Sequence, residues 1–266
     1  MIHVAIVSHG HENLLINSQL GGLLASGTAL KIWLKDNQPS ADLKTYCEQH
    51  GVHYSDDLPG LGFGENNNFI FEQIRQEYGF QTGDYFVVMN PDLSTSAETI
   101  LALTAQMTAD ACAVATIDLF KDPQYRVHDA NIRHFPTYAS LWNLVTARSL
   151  TDSYDKMAIT DSRYVDWASG AFLVFDAAHY RQLGGFDQAY FMYFEDVDIC
   201  YRSHQLLNQG VLYYPQFKAV HLAAHQNRNL ISRHAFWLIT SFLKFLSRRY
   251  FVYGVSKQIS HLPLTK

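Results

Sequence analysis

Residues 184–202 read GGFDQAYFMYFEDVDICYR. Four acids, Asp187, Glu195, Asp196 and Asp198, fall within twelve residues, interleaved with Phe186, Tyr190, Phe191, Tyr193 and Phe194. Acids set in an aromatic wall are partly desolvated, and adjacent carboxylates resist ionising together, so at least one pKa is expected to rise. Such a pair suits a general base. The same residues also read as a helix start, with carboxylates at the positive end of the dipole and Asp198 paired with Arg202 four residues on.

Outward from this stretch the charge is polarised. No acid follows Asp198, while Arg202, Lys218, Arg228, Arg233, Lys244, Arg248, Arg249, Lys257 and Lys266 do. The first 198 residues carry 11 basic against 25 acidic groups, a net of −14, and the remainder carries +9. An anionic surface is the expected partner of the C-terminal end. The tail is also strongly aromatic and aliphatic, which favours a membrane interface over nucleic acid. Ile231–Tyr253 reads as an amphipathic helix too charged to span a bilayer and suited to lying in its interface, or to ordinary packing on the core. The 266 residues are 48% hydrophobic and 17% charged, a globular composition. No uncharged apolar run approaches the ~18 residues of a membrane span. MIHVAIVSHGH enters a strand directly and lacks the basic region and cleavage site of a signal peptide. Cys47, Cys112 and Cys200 are scattered without metal spacing, which suits a reducing cytoplasm.

Upstream, apolar strands alternate with helical segments, the pattern of βαβ units and a mainly parallel sheet. Strands are expected at His3–Ser8, Leu30–Leu34, Val52–Ser55, Asp84–Met89 and Ala111–Thr116. Helices are expected at Asn17–Ala25, Asp42–His50, Ser96–Met107, and Phe69–Tyr78, the last capped by the Asn66–Asn68 run. Ligands of such sheets bind outside the carboxyl ends of the strands, where Ser8, His9, Asp36 and Asn37 fall. Asp36 there suits a ribose or base contact, or an Asx turn. Gly60-Leu-Gly-Phe-Gly64 lacks the Lys-Ser/Thr of a P-loop. Asn90-Pro91-Asp92 ends the strongest central strand, where a carboxylate can hold Mg²⁺ or Mn²⁺ on a diphosphate or simply make a turn. Residues 118–163 read as an irregular excursion. Tyr164–Phe175 runs into another strand, with Asp166 and Trp167 as possible sugar contacts. Val211–Tyr214 is a strand before Pro215, and His221 ends the next apolar run.

The order of these motifs resembles the family 2 glycosyltransferases of the GT-A fold, most closely the bacterial rhamnosyltransferases of O-antigen assembly. The resemblance rests on VSHGHE, FGxNNN, NPD, VDW, GFDQxYFMYxEDxD and the His225-Gln-Asn-Arg228 tail, and covers nearly the whole chain. It implies an α/β fold, a Rossmann-like, mainly parallel mixed sheet flanked by helices with a C-terminal amphipathic helix. Residues 1–228 would form the transferase domain, with 1–116 binding the nucleotide sugar and 117–228 the acceptor, and 229–266 would be the membrane-interfacial end.

The resemblance further implies inverting transfer of L-rhamnose from dTDP-L-rhamnose to a lipid-linked N-acetylglucosamine-diphospho-undecaprenol, at the cytoplasmic face of the inner membrane. Ser8, His9, Asp36, Asn37, Asn67 and Asn68 would hold the donor. Asp92 and His221 would ligate Mg²⁺ or Mn²⁺. Asp196 would be the base, with Glu195 as alternative base or acceptor ligand. Trp167, Ser169 and Gly170 would meet the acceptor, and Arg202 the diphosphate or Asp198. Two departures stand out: Asn90-Pro-Asp92 replaces the family's Asp-x-Asp, removing one anionic ligand, and Ser8-His9 replaces its Tyr-Asn. The same motifs suit a galactofuranosyl or N-acetylhexosaminyl donor. An idle sugar-nucleotide scaffold would have no need of the Glu195–Asp196 pair.

Overall fold

The computed structural model describes residues 1–25, 27, 29–146, 148–222 and 233–253. The His225–Arg228 motif and the cations Lys257 and Lys266 lie outside the described residues.

Eleven strands are described: β1 (Ile2–Ser8), β2 (Leu30–Asp36), β3 (His53–Ser55), β4 (Tyr85–Met89), β5 (Leu93–Ser94), β6 (Val114–Phe120), β7 (Ile132–Arg133), β8 (Arg163–Val165), β9 (Trp167–Ala168), β10 (Phe172–Asp176) and β11 (Val211–His221). The main sheet runs β3-β2-β1-β4-β10-β6-β11-β5, with β8 also on β11, and β7 and β9 form a separate pair. β1, β2, β3 and β4 are parallel, as are β6 and β11. β10 is antiparallel to both β4 and β6. Its start therefore lies at the sheet edge where the parallel strands end, with Phe172 opposite Met89.

The sheet is buried on both faces. Val4 and Ile6 of β1 join a cluster with Leu34, Val87 and Ile100, while Ala5 joins a second with Phe86, Val88 and Phe175. Alternation along a strand sends successive side chains to opposite faces, so strands covered on both sides read as continuous apolar runs. Each such large side chain contributes roughly 1.5–3 kcal/mol.

Helices cover the faces: α1 (Glu12–Leu14), continued through a π-helical turn (Leu15–Gln19) into α2 (Leu20–Leu24), then α3 (Ala41–His50), α4 (Phe63–Glu77), α5 (Ala97–Ala109), α6 (Ser140–Val145), α7 (Ala177–Leu183), α8 (Glu195–Leu207) and α9 (Arg233–Phe251). α4 starts six residues before the expected Phe69. Gly62 is its N-cap, and the Asn run lies inside the helix. Asn66 and Asn67 donate back to the carbonyls of Gly62 (2.9 Å) and Phe63 (3.0 Å), the i−4 bonding that lets such residues sit mid-helix. Gly62 is required by close approach, since a Cβ there would lie 2.2 Å from Phe191 O. β6 begins later than expected and runs on to Phe120. β11 continues through Pro215, with a register shift between Tyr214 and Lys218 that accommodates the missing N–H.

α9 packs Phe242, Phe245 and Leu246 into the same cluster as Phe135, Phe194 and Tyr201. Its opposite face leaves Phe236, Ile239, Leu243 and Phe251 exposed. No described helix is long and apolar enough to cross a membrane. Three cations of α9 are engaged within the fold. Lys244 donates to Ala189 O, Arg248 pairs with Asp187, and Arg249 donates to Pro136 O. These charges fasten α9 to the residue 184–202 segment and to the 118–163 excursion.

Candidate functional site

The expected base pair opens α8. Phe194, its N-cap, and Tyr193 before it both have φ of +67°, unusual for aromatic residues. These two left-handed residues turn the chain sharply into the helix and set Glu195 and Asp196 at its first turn. Asp196 Oδ2 accepts from the Gly170 amide at 3.0 Å, and Oδ1 from the Val197 amide at 2.8 Å. Gly170 lies two residues before β10, at the carboxyl edge of the parallel strands. A Cβ on it would lie 2.7 Å from Phe63 Cε1, so a larger residue there would have to displace the Phe63 ring.

The two carboxyls differ in environment. Glu195 is buried, and its Oε2 has no hydrogen-bond partner among the described residues. Burial, then the Asp196 charge, holds its pKa well above the usual carboxylate range. Asp196 is half-buried. Burial raises its pKa also, opposed by the Gly170 and Val197 amides and by the Arg133 charge. Both carboxyls are thus raised by burial, Asp196 with two amides and a cation opposing the shift. Of the aromatic wall, Phe186, Tyr190 and Phe194 are buried. Phe191 instead packs in a tilted contact on Trp237 of α9, with ring centroids 4.8 Å apart, and the Tyr193 hydroxyl meets His234 Nδ1 at 3.0 Å.

Asp92 and His221, far apart in sequence, come together. β5 pairs antiparallel with β11, placing His221 opposite Leu93, and the Leu222 amide donates to Asp92 O at 3.1 Å. His221 Nε2 lies 3.4 Å from Asp92 Oδ1, and its Nδ1 lies 2.6 Å from Asp129 Oδ2. Burial lowers the His221 pKa, but the hydrogen bonds and charges of Asp129 and Asp92 outweigh it and carry the pKa up to about 9. Among the described residues, no group of three His, Cys, Asp or Glu side chains forms a metal cage. An imidazole nitrogen facing a carboxylate nonetheless fits a divalent cation that completes its shell with phosphate and water. Asp129 was not singled out from the sequence.

At the donor end, Ser8 pairs with Asp36 across the tips of β1 and β2, and the Asn37 amide donates to Ser8 O at 2.9 Å. Asp36 is buried, its oxygens accepting from the Gln38 amide and the Tyr54 hydroxyl, both at 3.2 Å. It therefore builds the loop from within, the Asx-turn reading, while Asn37 reaches the surface and His9 is exposed. Asn67 is buried on α4, and its Oδ1 has no hydrogen-bond partner among the described residues.

Three expected ligands are committed to structure. Asn68 donates to Phe186 O at 2.7 Å and accepts from the Phe186 amide and the Tyr180 hydroxyl, tying α4 to the Gly185 turn. Arg202 donates to Asp198 Oδ2 (2.6 Å), Leu183 O (2.7 Å) and Gly185 O (2.8 Å) and is buried. Its guanidinium is engaged inside the fold, in the pairing with Asp198 that the helical spacing offers. Trp167 is buried in the core and donates to His134 O at 3.0 Å, so its indole is a packing element before it is a sugar platform. Ser169, beside Gly170, is half-buried and donates its amide to Asn131 O at 2.8 Å. Asp166 is likewise a hub, accepting from the Phe135 amide and Tyr154 hydroxyl.

No family model matches the chain. The chain is 32% identical over 252 residues to the rhamnosyltransferase WbbL of Escherichia coli, an alignment covering 94% of each protein. It is 29% identical over 203 residues to the N-acetylglucosaminyl-diphospho-decaprenol L-rhamnosyltransferase of Mycobacterium tuberculosis, covering 66% of each. Among solved structures it superimposes on GalNAc-T7, crystallised with UDP, GalNAc and Mn²⁺, with a TM-score of 0.65 and 13% identity. That match covers 95% of this chain and about half, 48%, of the other. The strand order, the acid pair at the edge of β10 and the full-length similarity converge: the chain belongs to the rhamnosyltransferases, glycosyltransferases of the GT-A fold.

Proposed function

We propose that the protein is an inverting transferase that moves L-rhamnose from dTDP-L-rhamnose to an N-acetylglucosamine-diphospho-polyprenol. The acceptor reading follows the mycobacterial relative's substrate, and the product belongs to O-antigen or related envelope polysaccharide. The observation that supports the mechanism is the Asp196–Gly170 contact, at the sheet edge where Ser8 ends β1 and Asn37 and Asp92 follow β2 and β4.

In this reading Asn37, Ser8, His9 and Asn67 contact the nucleoside and phosphates, with Asp36 supporting the loop. Asp196 takes the proton of the acceptor hydroxyl as that oxygen attacks the anomeric carbon. One displacement inverts the configuration without the covalent intermediate of a retaining enzyme. Glu195, kept neutral by burial, can donate a hydrogen bond to acceptor or donor sugar. Asp92 and His221 would hold Mg²⁺ or Mn²⁺, which would supply charge neutralisation to the departing diphosphate. Residues 1–116 would serve the donor and 117–228 the acceptor, with Ser169 and Gly170 at its edge. Incubation of the protein with a panel of nucleotide sugars and a synthetic N-acetylglucosamine-diphospho-lipid, followed by mass spectrometry, tests the assignment. A deoxyhexose added only from dTDP-L-rhamnose is expected; transfer of N-acetylhexosamine or galactofuranose instead would refute the donor.

Contact with the inner membrane would run through the exposed apolar stripe of α9, because Lys244, Arg248 and Arg249 are engaged within the fold. Vesicle binding is then expected to survive added salt and to weaken on Phe236→Ser with Leu243→Ser. Binding abolished by about 0.5 M salt would show an electrostatic anchor instead.

The Glu195 environment makes a second prediction. Its folded pKa is raised above the unfolded value of about 4.3, so the folded chain keeps a proton that the unfolded chain releases. Stability contributed by the protonated form is complete below the unfolded pKa and declines as pH rises towards the folded pKa. Glu195→Gln mimics the protonated form and is expected to raise Tm by an amount that grows as pH rises above the unfolded pKa. Parallel Tm curves for the two proteins would show that Glu195 is ionised in the folded state.

A further inference from the structure

We propose that Asp129 is a positioning residue of the metal site: it holds His221 with the proton on Nδ1 and leaves Nε2, facing Asp92, for a divalent cation. The inference rests on reading Asp92 and His221 as metal ligands.

A metal-binding imidazole presents one nitrogen to the ion, and the partner of the other nitrogen fixes tautomer and ring angle. Asp129 Oδ2 lies 2.6 Å from Nδ1. An ionised carboxylate only accepts, so Nδ1 is the donor. The opposite nitrogen, Nε2, faces Asp92 Oδ1 at 3.4 Å. The histidine thus has one nitrogen engaged and the other aimed at the carboxylate that would share the ion.

Asp129 is itself held in place. Its amide donates to Leu119 O at 2.7 Å, and its Oδ1 accepts from the Ala130 amide at 2.8 Å. The preceding loop is closed by the Lys121 amide on Val127 O at 2.8 Å and by a bridge between Phe120 and His128. β6 lies beside β11 with Phe120 opposite Val220, so this loop returns Asp129 to the tip of β11. Buried Lys156 braces the same place, donating to Asp118 Oδ1 at 2.8 Å and to Leu119 O at 3.3 Å. On the other side, the Leu222 amide fixes Asp92 O. Backbone bonds therefore set the separation of the two ligands, and Asp129 sets the angle of the ring between them. An ordinary buried ion pair would affect folding but would have no selective effect on metal binding.

The test is Mn²⁺ titration followed by electron paramagnetic resonance, with dTDP present, on wild type, Asp129→Asn, Asp129→Leu, His221→Ala and Asp92→Ala. Asn keeps an oxygen that accepts from Nδ1; Leu does not. Asp129→Leu is expected to weaken Mn²⁺ binding by about 10–100-fold, with Asp129→Asn within a few-fold of wild type. Metal-free dTDP affinity and cooperative melting should be retained in both. A folded Asp129→Leu protein that holds Mn²⁺ as tightly as wild type overturns the inference, as does an equal loss with Asn and Leu. If His221→Ala and Asp92→Ala also leave Mn²⁺ binding unchanged, the metal reading fails and takes this inference with it. If they lose Mn²⁺ and Asp129→Leu does not, the inference alone fails. Asp129→Ala replaces the Leu variant should the latter not fold.

Discussion

Asp196→Asn is expected to lower the rate of sugar transfer by about 10²–10⁴-fold, the range lost with a general base, while dTDP binding stays within a few-fold. Asn preserves the shape, and its oxygen can still accept from the Gly170 amide that anchors the native side chain at 3.0 Å. What it cannot do is take a proton. The pH profile gives the same test a second reading. The base works ionised, and burial raises its pKa above the usual aspartate range. Activity should therefore be full above that raised pKa and fall as pH drops through it. Glu195→Gln mimics the neutral acid already present and should leave that acid limb in place. Near-normal turnover by Asp196→Asn, together with loss in Glu195→Gln, would transfer the base role to Glu195.

Arg202→Ala is expected to cost about 3–5 kcal/mol of stability, the usual result of leaving one half of a buried ion pair uncompensated. For a chain of this size that corresponds to a Tm lower by roughly 6–20 °C. Arg202 satisfies Asp198 and the carbonyls of Leu183 and Gly185 together, joining α8 to the end of α7 and the glycine turn that follows. Burial raises the Asp198 pKa, and Arg202, followed by Tyr190, opposes it. Arg248 at 4.0 Å is too distant to replace those hydrogen bonds. Double replacement with Asp198→Leu and Arg202→Met should recover much of the loss, because it removes both charges. An Arg202→Ala protein as stable as wild type but weak in dTDP binding would return this residue to the diphosphate.

The strands were legible because a sheet covered on both faces writes uninterrupted apolar runs, as in Tyr85–Met89. The acid pair was legible because carboxylates seldom sit among so many aromatics. Other features depend on tertiary partners. Asn66–Asn68 looks like a helix cap, yet α4 begins earlier because Gly62 fits under Phe191 O, a contact invisible in the local sequence. β11 passes through Pro215 because a bulge absorbs it. Arg202 could be paired with Asp198 by helical spacing alone, but its two carbonyl partners arrive from another helix and its turn. Asp129 sits in the irregular excursion with no pattern around it, and only the β6–β11 pairing lays it against His221. The amphipathic character of α9 was readable, but not which cations its packed side would consume.

The most direct test of inverting rhamnosyl transfer is the anomeric configuration of the product. The protein is incubated with dTDP-L-rhamnose, a divalent cation and a synthetic N-acetylglucosamine-diphospho-lipid, and the isolated lipid is analysed by NMR through the one-bond C–H coupling at the anomeric carbon. A single L-rhamnosyl residue on the N-acetylglucosamine, with configuration opposite to that of the donor, is the predicted result. A product with the donor's configuration would contradict a single displacement driven by Asp196, and the absence of any rhamnosylated lipid would contradict the assignment of donor and acceptor.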